Sequence, residues 1–139
     1  MKKIISILIL SFLFFGNGNA EDRKGDLDEL FSQLKNTKEL STAQILEKKI
    51  WEIWLIHPSD DRRGFRLTEL LTQGSRLMNM GELSKAYELF TTIIATEPDW
   101  SEVWNKRATV LYLMNRYQSS LDDIKITLVL EPRHFGALS

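Results

Sequence analysis

Residues 67–134 read LTELLTQGSRLMNMGELSKAYELFTTIIATEPDW followed by SEVWNKRATVLYLMNRYQSSLDDIKITLVLEPRH, two blocks whose Glu-Pro pairs, Glu97-Pro98 and Glu131-Pro132, stand 34 residues apart. Sliding one block onto the other sets Leu77 on Leu111, Met80 on Met114, Gly74 on Ala108, Ala86 on Ser120, Phe90 on Ile124, Ile94 on Leu128 and the turn residue Gly81 on Asn115. Few identities survive, but chemical type is kept, and a period of this length marks stacked supersecondary units. Apolar residues recur at three and four, the period of a helix and not of a strand. Each block is therefore expected to run helix, tight turn, helix: 67–80 with 83–96, then 101–113 with 117–130. Small Gly74, Ala86 and Ala108 let two helix backbones approach, Leu70 or Trp104 fills the space between hairpins, and Pro98 or Pro132 starts the next helix. The fold class that follows is all-α, built of stacked antiparallel helical hairpins.

Upstream, Leu27, Leu30, Phe31 and Leu34, then Ile45, Leu46, Ile50, Ile53 and Trp54, keep the helical spacing. Residues 21–64 are expected to form an N-terminal helical pair ahead of a repeat domain over 65–139. Ser41 and Gln44 have the spacing of a capping box, as do Asp99 and Glu102. Pro58 should stop the second helix by denying its predecessor a helical conformation, and Ser59 or Asp60 is placed to cap the next. Earlier still come Lys2 and Lys3, an apolar run of twelve residues from Ile4 to Phe15, and small Gly18 and Ala20. That is the three-part layout of a secretory signal peptide over 1–20, with cleavage expected after Ala20. The apolar run rises about 18 Å as a helix, short of a hydrocarbon core about 30 Å thick. The expected product is periplasmic, with no membrane contact once the leader is removed.

Composition narrows the partners. The chain of 139 residues is 43% hydrophobic and 27% charged, too apolar for a disordered tail. Its 18 Lys and Arg against 19 Asp and Glu give no positive excess to hold a polyanion by counterion release, so nucleic acid is not an expected partner. Losing Lys2 and Lys3 with the leader leaves 16 basic against 19 acidic side chains, a net charge of −3. Without Cys there is no disulfide framework and no thiolate metal site, so stability must come from packing.

Chemistry finds no foothold. His57 and His134 are far apart and in no metal-ligand spacing such as HExxH. His57, just before Pro58 at a helix end, is expected to serve the negative end of the helix dipole. With no G-x-S-x-G elbow, S-x-x-K pair or Gly-rich phosphate loop, no catalytic residue, metal or cofactor is predicted. Adjacent Asp122 and Asp123 point about 100° apart on a helix and are expected, like Asp60 and Asp61, to be solvated surface charge. Arg62, Arg63 and Arg66 read as a linker cluster neutralised by Asp60, Asp61 and Glu69.

Leu70, Gly74, Leu77, Gly81, Ala86, Phe90 and Pro98 in the first block, and Trp104, Ala108, Leu111, Tyr117, Ile124 and Pro132 in the second, resemble the tetratricopeptide repeat (TPR) pattern. Ser120 and Thr127 depart from its small apolar residues. The repeats are then 67–100 and 101–134, with 135–139 opening a third. The leader, the Trp51 and Trp54 pair, and the segments 104–109 and 131–138 are similar to secreted TPR proteins of alphaproteobacteria, a group that implies no defined activity. What the TPR resemblance implies is a TPR-like α-solenoid whose concave groove is lined by Thr68, Leu71, Ser75, Met78 and Asn79 from one hairpin and Glu102, Asn105, Thr109, Tyr112 and Leu113 from the next. Such a groove would bind a protein or peptide without catalysis. Asn side chains would hold the peptide backbone, and Leu71, Met78 and Tyr112 would receive apolar side chains. Only Lys106 and Arg107 lie nearby, so a basic clamp for acidic tails is not implied.

Arrays of this kind need about three stacked units and a polar cap. After Pro132 the tail supplies about one turn, so Leu121, Ile124, Leu128 and Val129 await cover from Phe135 and Leu138 or from a docked partner, with the pair at 26–57 as a third layer at the other end. The alternative to a groove-binding adaptor is therefore a truncated or structural repeat fragment, a homo-oligomer joined through Leu121, Ile124, Leu128, Val129, Phe135 and Leu138.

Overall fold

Gly81 and Asn115 decide where the chain doubles back. Both hold left-handed backbone, with φ of 79° and 60°, at equivalent places in the two blocks. Gly81 N donates to Met78 O and Glu82 N to Leu77 O, while Asn115 N donates to Tyr112 O and Arg116 N to Leu111 O. These are Schellman closures. Glycine adopts the left-handed conformation with no Cβ to obstruct it, and asparagine is among the few side chains that tolerate it.

The computed structural model describes residues 18–139, with side chains from Asp22 onward. In order these form α1 (Gly18–Asn36), α2 (Leu40–Leu55), α3 (Arg62–Asn79), α4 (Leu83–Thr96), α5 (Ser101–Leu113), α6 (Tyr117–Leu130) and the short α7 (Phe135–Leu138), with no strand among the described residues. The expected leader lies outside them except for residues 18–20, which open α1. Helices α4, α5 and α6 cover the spans their periodicity predicts, but three predicted caps are corrected. Glu39 precedes α2 with no side-chain cap, so Ser41 lies inside the first turn and forms no capping box with Gln44. Asp61, not Ser59 or Asp60, caps α3: its Oδ1 accepts from Gly64 N at 2.7 Å, which moves the helix start back to Arg62. Trp100, whose indole offers no acceptor, precedes α5, so Asp99 and Glu102 form no capping box.

Helices α3 and α4 form one hairpin and α5 and α6 the next, with α4 packed on α5. Their shared core holds Leu67, Leu71, Phe90, Ile93, Val103 and Val110. A side chain at Gly74 would run into the Phe90 ring, so glycine is what lets α3 and α4 close on one another. The departures at Ser120 and Thr127 have a physical reason. Both are buried, and their hydroxyls donate to Ala108 O at 2.8 Å and to Asp123 O at 3.0 Å, so neither is left unpaired.

A second core joins α1 and α2 through Leu27, Ile50 and Trp54, with Phe31, Trp51 and Phe135 against it. One of the three covers the sequence offers is this pair as a third layer at the other end of the array. Instead α2 packs against α5, and its aromatic side chains reach the start of α7.

Candidate functional site

Helices α3 and α5 contact each other and share the inner face on which a ligand groove is predicted. The structure divides that face in two. Toward the N-terminal ends of both helices it is closed by the chain itself. Leu71 is 1% exposed, Asn105 6% and Glu102 wholly buried, so Leu71 and Asn105 are corrected from ligand-facing residues to core. Thr68 is also engaged, its hydroxyl accepting from His57 N at 2.9 Å and donating to Gly64 O at 3.1 Å. Toward the C-terminal ends the face is open. Ser75 and Met78 are half-buried, Asn79 and Thr109 exposed, and Tyr112 and Leu113 are 62% and 48% exposed. Ser75 and Thr109 donate to the carbonyls of Leu71 and Asn105 one turn back. The side chains presented outward are therefore chiefly those of Asn79, Tyr112 and Leu113.

The closure is built on Glu102. A fully buried carboxylate is costly unless charge and hydrogen bonds meet it, and here three side chains do. His134 Nε2 lies 2.9 Å and Asn105 Nδ2 3.3 Å from Oε2, and half-buried Lys106 places Nζ 3.2 Å from Oε1. The His134 ring stacks on Trp54 at 4.0 Å between centroids and 8° between planes, with the edge of Trp51 alongside. Trp100 Nε1 donates to Trp54 O at 2.9 Å. In this way α2, α5 and the segment before α7 converge on one carboxylate.

His57 builds a second joint just past the same C-terminal end of α2. Its Nδ1 accepts from Ser59 N at 3.0 Å, which leaves the proton on Nε2, 3.2 Å from Glu97 Oε2. Glu97 also pairs with Arg63, and the imidazole sits edge-on to Trp100. His57 thus serves a specific carboxylate and not, as expected, the helix dipole. No sequence signal pairs these residues, because His57 lies outside the repeats and His134, the last residue of the second, stands 32 positions from Glu102.

The acidic pair on α6 separates likewise. Asp122 is exposed beside Lys125. Asp123 is buried and is corrected from solvated charge to a bidentate partner of Arg107, at 2.7 and 2.9 Å. Arg107 also donates to Thr91 Oγ1 at 3.2 Å and lies over the Trp104 ring. The hydrogen bonds to Asp123 raise the Arg107 pKa above its ordinary value despite burial, and they take this cation away from the groove. Of the residues expected to form an association surface, Leu121, Val129 and Leu138 are exposed, while Ile124 and Leu128 are half-buried. Phe135 is corrected: it is packed among Phe31, Trp51 and Trp54. Among the described residues no group of three or more His, Asp or Glu is placed to hold a metal ion, and no helix is long and apolar enough to cross a membrane.

The chain is similar to a TPR repeat-containing protein of Rhizobium etli, 34% identical over 116 residues, which make up 84% of this chain and 54% of that protein. It spans about half the length of the curated relative that it matches. No protein-family model matches the chain, and no solved structure does.

Proposed function

Starting from an all-α, TPR-like helical repeat with a TPR repeat-containing relative, we propose that the protein is a non-catalytic interaction module of the bacterial periplasm that receives a protein or peptide segment on the open half of its inner face. Repeats of this kind generally serve as scaffolds between proteins. The observation that carries the reading is the exposure of Tyr112 and Leu113 near the end of α5 and of Asn79 at the end of α3. An exposed aromatic and an aliphatic side chain with an amide supply what an extended segment needs, an apolar seat and a donor and acceptor for its backbone. The ligand is confined to this half, because α2 and His134 fill the other.

The test is a crosslinked capture from the envelope fraction by the mature chain, with an Asn79→Ala, Tyr112→Ala variant in parallel. Both substitutions lie on exposed positions and should leave the far-ultraviolet helix signal unchanged. A partner held by the parent and lost by the variant supports the reading. A partner held equally by both places the contact elsewhere and overturns it.

A further inference from the structure

We propose that the outer flank of the first hairpin is a second docking site, one that takes an acidic amphipathic helix of a partner protein in the way that α5 takes α4. A cleft of ≈ 770 Å³ runs along this flank, floored by Leu67 and Leu70 of α3 and Ile93 of α4, with Arg62, Arg63 and Arg66 at one end. It shares none of these residues with the inner face.

The chain supplies its own template. Shifted by 34 residues, Leu70 corresponds to Trp104 and Gln73 to Arg107. Those residues of α5 meet α4: Arg107 reaches Thr91, and Trp104 packs against the core that Phe90 and Ile94 help to form. On α3 the equivalent surface is not covered by α2, which packs on α5. What fits there is another helix running antiparallel to α3, with apolar residues at three- and four-residue spacing over the cleft floor.

Charge identifies the helix as acidic. Arg63 is matched by Glu97, but Arg62 and Arg66 are exposed and have no carboxylate within ion-pair distance among the described residues. Asp61 lines the same cleft and caps Gly64 N, but it forms no ion pair with either arginine. Arg62 and Arg66 stand one turn apart on α3. An antiparallel partner would bring its last two turns beside them, and carboxylates there would complete two ion pairs. Those pairs set orientation and selectivity, and half-buried Leu70, beside the nearly closed Leu67 and Ile93, supplies the apolar contact.

The experiment uses a labelled synthetic amphipathic helix with leucines along one face and glutamates in its last two turns, a twin bearing lysines at the glutamate positions, and the whole protein. The expected result is saturable binding of the acidic peptide, at least about tenfold weaker for the lysine twin and for an Arg62→Glu, Arg66→Glu variant of unchanged helicity, and weakened by salt. Tyr112→Ala should leave it unaffected. Absence of charge-selective binding overturns the proposal, as does loss of binding in Tyr112→Ala, which would assign the peptide to the inner face. A concentration-dependent dimer that the Arg62→Glu, Arg66→Glu variant dissolves also overturns it, by giving the flank to a second copy of the chain.

Discussion

Glu102 shows how far a residue's role can lie from its place in a pattern. Its position in the repeat faces a groove, and its spacing from Asp99 suggests a helix cap, yet it is wholly buried against His134, Asn105 and Lys106. Nothing in a linear reading joins residue 102 to residue 134, because the joint depends on where α2 lays Trp54 and on how the chain leaves Pro132. The energetic consequence is testable by a double-mutant cycle. His134→Phe keeps a flat ring on Trp54 but removes a hydrogen bond from a buried carboxylate, so it should cost about 2–3 kcal/mol. Glu102→Leu strands the imidazole and the Lys106 ammonium and should cost a similar amount. Together they replace the polar contact by an apolar one, so the double variant should lose well under the sum of the singles in urea unfolding. Strict additivity would mean that the two side chains do not act as a pair.

At the scale of the element, the turns and the spans of α4, α5 and α6 are legible in the sequence and the helix caps are not. Gly81 and Asn115 align in the sequence and share one backbone conformation in the structure, since only a few residue types accept a positive φ. The start of α3 follows Ser59, Asp60 and Asp61, three adjacent acceptors of which any has the chemistry to cap, and only the path of the backbone selects Asp61. Asp123 was readable in principle: it falls with Ser120 and Thr127 on one helix face, and all three are buried. The turns carry a sharp expectation. Gly81→Val forces a β-branched residue into left-handed backbone and should cost about 1–2 kcal/mol or more, whereas Asn115→Gly, at the equivalent site, should change stability by less than about 0.5 kcal/mol. Thermal unfolding followed by circular dichroism distinguishes them, and equal losses at both sites would contradict the equivalence of the two closures.

For the whole molecule, the question is what holds an N-terminal pair onto an array of two hairpins when such arrays rest on contacts between neighbours. The sequence identifies the pair and the hairpins but not their docking, because the period that orders the repeats does not extend to residues 21–64. Beside the aromatic cluster the docking is ionic: Arg133 reaches Asp28 on α1 at 2.6 Å and Glu131 at 2.9 Å, with its guanidinium over the Phe31 ring. The Asp28 carboxyl is held below its ordinary pKa chiefly by the hydrogen bond from Arg133. Burial works to raise Glu131, but the hydrogen bonds and charge of Arg133 outweigh it and leave Glu131 lowered as well. Carboxyls lowered on folding stabilise the folded state fully above their unfolded values, about 4, and lose that contribution as pH falls through the lowered folded values. Arg133→Met keeps much of the apolar stem but removes both pairs. It should therefore be less stable than the parent at pH 7, and the gap should close as both are titrated into the acid range below the usual carboxylate values. Urea unfolding read by the fluorescence of Trp51 and Trp54, which lie in this joint, measures both ends of that interval. A gap of the same size at neutral and acid pH would assign the docking to the aromatic cluster alone.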